Sequence, residues 1–209
     1  MTLGEDIKEA IEDVGAGFTI LRDAGNISGE YLDSEISKQV TKPFIREYFL
    51  SSTLSYETSA ITGDVIRFDT TGDNYLVMNK TPELFENSII GHDCVLYKAN
   101  VSGELLRSSG ETWDATWDTE TYHKVPEWES IKTDCHALQT EALYGHDLET
   151  DEELAMVGVE NHELYIPHSI GARVLDRYQP VSGEYYRIET IKTRRYSGID
   201  VCELGKDHR

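Results

Sequence analysis

Seven histidines, three cysteines and 39 acidic side chains are what this 209-residue chain offers for chemistry. Several histidines stand next to another ligand type: His92-Asp93-Cys94, Cys135-His136, His146-Asp147 and His162-Glu163. Neighbours on a strand point to opposite faces, so no such pair can chelate together from one regular strand. None has the spacing of a zinc site, neither His-Glu-x-x-His nor paired Cys-x-x-Cys. A distant convergence of His136, His146 and Asp147 stays open, and solvated loop histidines are the plainer reading. The cysteines, Cys94, Cys135 and Cys202, lie in apolar strand contexts where cysteine acts as a small buried hydrophobe. There is no Gly-x-Ser-x-Gly elbow and no Walker lysine after the glycine-rich segments. Carboxylate pairs such as Asp114/Asp118 and Glu127/Glu129 are expected by number alone, and the acidic stretch 147–153 lacks the order of an EF-hand loop. The expectation is a protein that is not an enzyme and holds no cofactor and no metal. A β-sandwich hydrolase or carbohydrate-binding module is the alternative, with two carboxylates flanking a sugar groove or with tryptophans as the sugar platform.

The formal charge of −20, from 39 acidic against 19 basic residues, disfavours binding to the phosphates of nucleic acid. It fits plain solubility, and it fits a ring whose acidic lumen lets DNA pass without sticking. An odd number of widely spaced cysteines indicates neither a disulfide framework nor a zinc clip, so a reducing compartment is expected. The amino terminus lacks the basic and apolar run of a signal peptide, and no stretch approaches the roughly 20 apolar residues of a membrane span. A soluble protein made in the cytoplasm, with no membrane partner, follows as the expectation.

The elements that would position these residues are mostly short strands. Leu3, Ile7, Ile11 and Val14 recur at helical spacing between acids, and Gly15-Ala16-Gly17 ends the pattern, which predicts one amphipathic helix over 3–14. Its stripe docks on its own domain or serves as an arm for a neighbouring subunit. Strand patterns follow at 18–22, 46–50, 52–59, 64–68, 74–78, 94–101 and 163–167, close enough for barrel or sandwich meanders. Thr81-Pro82-Glu83 reads as a capped helical turn through Asn87, projecting Leu84 and Phe85, and 193–198 reads as a plain loop. The stretch 108–131 holds all three tryptophans, Trp113, Trp117 and Trp128, among acids without clear periodicity, and reads as a linker or long loop.

The chain also repeats itself. Arg67-Phe68-Asp69, Gly72-Asp73-Asn74-Tyr75-Leu76-Val77 and Asp93-Cys94-Val95-Leu96-Tyr97-Lys98 echo Leu175-Asp176-Arg177, Gly183-Glu184-Tyr185-Tyr186-Arg187-Ile188 and Asp200-Val201-Cys202-Glu203-Leu204-Gly205-Lys206. A duplicated all-β module is expected. The fold class is therefore mainly β: two small barrel- or sandwich-like modules with a short N-terminal α-helix. Residues 1–107 make the helix and first module, 108–131 the tryptophan-rich linker, and 132–209 the second module.

Leu164-Tyr165-Ile166-Pro167, Asp176-Arg177, Gly183-Glu184-Tyr185-Tyr186-Arg187-Ile188 and the closing 196–209 resemble the small β-barrel head-closure, or stopper, proteins of tailed-bacteriophage necks. Gly63-Asp64-Val65-Ile66 with Asn74-Tyr75-Leu76-Val77-Met78 is similar in style, and Leu175 stands where the family pattern has glycine. The resemblance covers about half of the chain. It implies a structural virion protein, a homo-oligomeric ring of six or twelve copies, assembled in the host cytoplasm. Such a ring has the portal or adaptor on its head side and a tail terminator, tube or sheath protein on its tail side. Genomic DNA would pass through the lumen without specific binding. A collar or tail-terminator protein is the nearest alternative. The expected contact residues are Ile7, Ile11 and Val14 of the helix, Leu84 and Phe85, Trp113 and Trp117, and Val201 and Leu204 of the last strand, with exposed β edges pairing between subunits.

Overall fold

A computed structural model describes residues 3–35, 49–113, 124–141 and 162–207. Helix α1 (Leu3–Val14) opens the chain, and the Gly15 N–H bonded to the Ile11 carbonyl at 2.8 Å closes it. Gly4 and Ile11 are buried, so its apolar stripe docks on the strands that follow.

Strands β1 (Ala16–Leu21), β2 (Ile27–Glu35), β3 (Phe49–Ser55), β4 (Val65–Phe68), β5 (Asn74–Phe85) and β6 (Ser88–Lys98) form a closed antiparallel barrel in the order β1-β2-β3-β6-β5-β4. Strands β7 (Val101–Trp113), β8 (Lys124–Glu141), β9 (His162–Pro167), β10 (Arg177–Gln179), β11 (Tyr186–Tyr196) and β12 (Ile199–Lys206) form a second closed barrel. Its order, β7-β8-β9-β12-β11-β10, is the first barrel's with six added to every strand number. The correspondence extends to register. Tyr75 faces Lys98 as Tyr186 faces Lys206, Val77 faces Leu96 as Ile188 faces Leu204, and both ladders then slip by one residue, past Met78 and past Glu189. A shared bulge at one register position is strong support for a duplicated module, since bulges are positional features of a fold.

Alternation explains both interiors. Phe18, Ile20, Leu32, Leu54, Ile66, Val77, Cys94 and Leu96 fill the first barrel, while Leu105, Cys135, Leu164, Ile166, Tyr178, Ile188, Cys202 and Leu204 fill the second. Each inner residue is followed on its strand by an outward one.

Register corrects the first leg of the repeat. Ile66 pairs with Tyr75 as Tyr178 pairs with Tyr186, so Gly63-Asp64 is the counterpart of Leu175-Asp176, and Arg67-Phe68-Asp69 is not. Leu175 has φ 76° where Gly63 has φ 93°. The leucine accepts the left-handed backbone that glycine adopts freely in the other copy.

Three local expectations change. Residues 81–87 are no helical turn: β5 runs through Phe85 and turns back at Glu86 and Asn87, with φ 47° and 64°, into β6. Two consecutive positive φ values make a two-residue hairpin turn. Pro82 is tolerated because β4 pairs β5 only at 74–76, so the edge of β5 away from β6 needs no N–H there. Residues 193–196 continue β11, with only Ser197-Gly198 turning. Residues 108–113 and 124–131 are strand, not linker: β7 and β8 pair out to Trp113 and Lys124, an arm of about 20 Å beyond the barrel at ~3.3 Å per residue. The modules therefore meet at Ala99-Asn100, and residues 101–107 belong to the second one. Closure of both barrels also removes the free edges expected to pair between subunits; within the described strands, unpaired edges remain only on extensions such as this arm.

Candidate interaction surfaces

The two barrels share an arginine–aspartate clamp at the same place, and the second barrel adds a buried pair of its own, Arg177 Nε donating to Asp207 Oδ2 at 2.8 Å. Arg22 follows the last residue of β1 and Asp64 precedes β4; Arg107 and Asp176 hold the matching positions on β7 and before β10. Arg22 Nε donates to Asp64 Oδ1 at 2.9 Å and Nη2 to Oδ2 at 2.5 Å. Arg107 repeats this on Asp176 at 2.9 and 2.7 Å. Both Nη2 groups also donate to a backbone carbonyl at 2.9 Å, Ser59 in one copy and Gly171 in the other. Both carboxylates accept a 2.8 Å bond from the amide three residues upstream. The charge-assisted fork raises each guanidinium above its usual value. These clamps lock the turn into the fourth strand of each barrel, a structural role.

The seam between the barrels is apolar. A row of outward residues on barrel 1, Leu21, Val65, Leu76 and Tyr97, lies across β1, β4, β5 and β6. With Met78 it packs on Leu138, Tyr165, Val201 and Ile199 of barrel 2. Tyr165 stands between Tyr97 and Tyr196, with ring centroids 6.5 and 6.1 Å away. At one end the backbones touch: a methyl group added at Gly63 would lie 2.2 Å from the Gly198 carbonyl oxygen, and one at Gly198 would lie 2.2 Å from that of Thr62. Asn100 and Gln139 exchange two 2.8 Å bonds at the crossover, and Lys132 pairs with Asp23 across the gap. A cleft of about 450 Å³ remains beside the seam, lined among others by Arg22, Ile61, Lys132, His136 and Ile170. Burial lowers the pKa of His136 there, favouring the neutral imidazole.

The three thiols point into the barrels, and burial pushes Cys94 and Cys135 up to about 12 and raises Cys202 as well. A thiol so held is a poor nucleophile at neutral pH. His168 Nδ1 meets the buried Asp200 carboxylate at 2.9 Å. Among the described residues no group of three or more His, Cys, Asp or Glu is placed to hold a metal, and no helix is long and apolar enough to cross a membrane.

The expected contact residues divide sharply. Ile11 is buried against its own barrel and Ile7 is half-buried, while Val14 is exposed. Val201 points outward into the seam, where barrel 1 covers it, and Leu204 points inward into the second core, so neither is open to a neighbour. Leu84 and Phe85 are 65% and 49% exposed at the β5–β6 hairpin tip, beside Ile89. Trp113 ends β7 on the arm, and Trp117 lies outside the described residues. Trp128, on the same arm, stacks on the Arg177 guanidinium at 3.9 Å, with Tyr185 on the cation at 4.7 Å.

Sequence reasoning missed both clamps and the seam. The clamps had a signal: the same Leu-Arg pair, Leu21-Arg22 and Leu106-Arg107, stands once in each module, and each is answered by an aspartate just before a later strand. No family model, no curated protein and no solved structure matches the chain.

Proposed function

We propose that this chain is a structural subunit of a tailed-bacteriophage neck, a head-closure protein that forms a ring between the portal or its adaptor and the tail. The observation that carries the reading is the apolar β5–β6 tip. Leu84, Phe85 and Ile89 are held out to solvent by a hairpin whose own barrel is already filled, an arrangement that suits contact with another subunit. Two barrels fused along an apolar seam make a block that transmits position without bending. The β7–β8 arm gives that block reach, and hairpins that extend beyond a rigid body are suited to grip neighbours. A charge of −20, repeated around a ring, would leave the lumen repulsive to DNA.

Native mass spectrometry of the purified chain, alone and with portal, adaptor and tail proteins, followed by electron microscopy, tests this reading. A ring of six or twelve copies, alone or on a partner, is the expected result. A chain that stays monomeric and binds none of these proteins refutes it.

A further inference from the structure

At the β5–β6 hairpin, exposed apolar side chains stand together with unpaired charge of one sign. Leu84 pairs with Ile89 across the ladder, so both lie on one face, and Phe85, the next residue, points to the other. The tip is therefore apolar on both sides. Such a shape is a plug, and what covers a plug is a socket. Helix α1 begins at the same end of the barrel: a methyl group added at Gly4 would lie 3.4 Å from the Ile89 carbonyl oxygen, which brings the half-exposed Leu3 close to the hairpin. Pro82 offers no N–H to a strand arriving along the free edge of β5, so the contact falls to side chains. The turn in the same position on barrel 2, at Gly198, already docks on another barrel, at Gly63.

Charge says what kind of socket. From Thr81 to Tyr97 the chain has no lysine or arginine. Lys80 is turned away, its ammonium donating to the Ala60 carbonyl at 2.8 Å, and Lys8 of the helix is held by Glu57. Glu83 and Glu86 flank Leu84-Phe85, and Asp33 and Asp93 join Glu83 around a groove of about 420 Å³ on the adjoining sheet. These four carboxylates are exposed, and none has a hydrogen-bond or ion-pair partner among the described residues. Another copy of the chain matches them poorly. Its cations on β10 and β11 are committed within the chain, Arg177 to Asp207, Arg187 to Glu189, Lys192 to Glu203 and Arg195 to Glu163, and each copy carries a charge of −20.

We propose that the β5–β6 hairpin is a plug for a different protein, one that presents an apolar socket rimmed by lysine or arginine. The proposal rests on the neck reading above, in which the chain meets other virion proteins on both sides of its ring, and it assigns the hairpin to one of those neighbours and not to the next copy. Leu84, Phe85 and Ile89 supply affinity by leaving water, as buried apolar anchors do at interfaces. The carboxylates around them steer the encounter with a basic surface and repel an acidic one, other copies of this chain included.

The test uses two variants of the full chain. One carries Leu84→Ser and Phe85→Ser, which removes the apolar tip and keeps the charge; the other carries Glu83→Gln and Glu86→Gln, which does the reverse. All four positions are exposed, and circular dichroism should show both variants folded. Each chain is tethered as isolated copies, and purified portal, adaptor and tail-terminator proteins, and the free chain itself, are passed over it at several salt concentrations. One of the three neck proteins should bind wild type, and the serine variant should bind it on the order of 100-fold more weakly, the size of effect expected when two central anchors are lost. The glutamine variant should associate more slowly, with a flatter salt dependence and little change in dissociation. A serine variant that binds the neck protein as tightly as wild type would overturn the plug, and so would a tip that captures only free copies of the chain; both leave the neck reading standing. A glutamine variant with wild-type rates and salt dependence would overturn the cationic rim. Wild type that binds none of these proteins and forms no ring in native mass spectrometry would overturn the plug and the neck reading together.

Discussion

Replacing Gly63 with alanine is expected to loosen the molecule far more than replacing its counterpart, Leu175. Gly63 has φ 93°, and a side chain in the left-handed region costs about 1–2 kcal/mol. The new methyl would also lie 2.2 Å from the Gly198 carbonyl oxygen, so the β11–β12 turn must retreat by about 1 Å to reach van der Waals distance. Forcing a packed element aside costs about 1–3 kcal/mol more. The sum, about 2–5 kcal/mol, is a large share of the ~5–15 kcal/mol that holds a typical domain folded. Leu175→Ala meets neither obstacle: its backbone already carries a side chain at φ 76°, and the side chain lost is 57% exposed, so the change should cost about 1 kcal/mol or less. Urea titration followed by circular dichroism reads the difference. With a slope of ~2 kcal/mol/M, Gly63→Ala should move the midpoint down by about 1–2.5 M. Gly198→Ala should behave alike, and the double variant should fall short of the sum because both methyls open the same gap. A Gly63→Ala midpoint within about 0.3 M of wild type, well under the slope-scaled loss, would refute the reasoning.

Three further outcomes follow from the structure. Asp64→Asn and Asp176→Asn should each cost about 2–3 kcal/mol, the worth of charge-assisted bonds, and the two losses should agree closely, because the clamps are duplicates; urea midpoints check this. Stability should be full below pH 9 and fall toward pH 12. Burial lifts Cys94 and Cys135 from 9.0, and Tyr97 from 10.0, to about 12, and raises Tyr165 and Tyr178 too. The unfolded chain thus releases these protons at lower pH than the folded one. Thermal midpoints against pH, with tyrosinate absorbance followed in parallel, should show ionisation and unfolding together. Finally, a disulfide reagent at pH 8 should leave Cys94, Cys135 and Cys202 unmodified in the native protein and label all three in urea.

The duplication was legible because inward residues recur for packing reasons: Cys94 and Leu96 repeat as Cys202 and Leu204, and turn glycines Gly72 and Gly183 both sit at positive φ. One leg slipped because Leu175 hides the Gly-Asp signal, a backbone conformation that the side chain does not announce. The helix was legible from its period. The β7–β8 arm was not, since its outer part extends past the barrel and so lacks a core-facing face to impose alternation. Nor was the seam. Val201 and Leu204 are both apolar on one strand, and nothing local distinguishes a residue facing its own core from one facing a sister barrel or another subunit. Leu84 and Phe85 project as their sequence suggests, but from the tip of a β-hairpin and not from a helical turn.

The apolar seam also sets a problem of timing. On the ribosome the first barrel is complete at Lys98, while Leu138, Tyr165, Ile199 and Val201 have yet to emerge. At ~5–20 residues per second, roughly a hundred further residues take on the order of 10 s, and for that interval Leu21, Val65, Leu76, Met78 and Tyr97 stand uncovered. A nascent chain with such a face is adhesive toward its neighbours on the same message, where many copies are made side by side. The carboxylates of Asp33, Glu83 and Asp93 elsewhere on that barrel would give such half-made chains like charges that oppose this adhesion until the second half arrives.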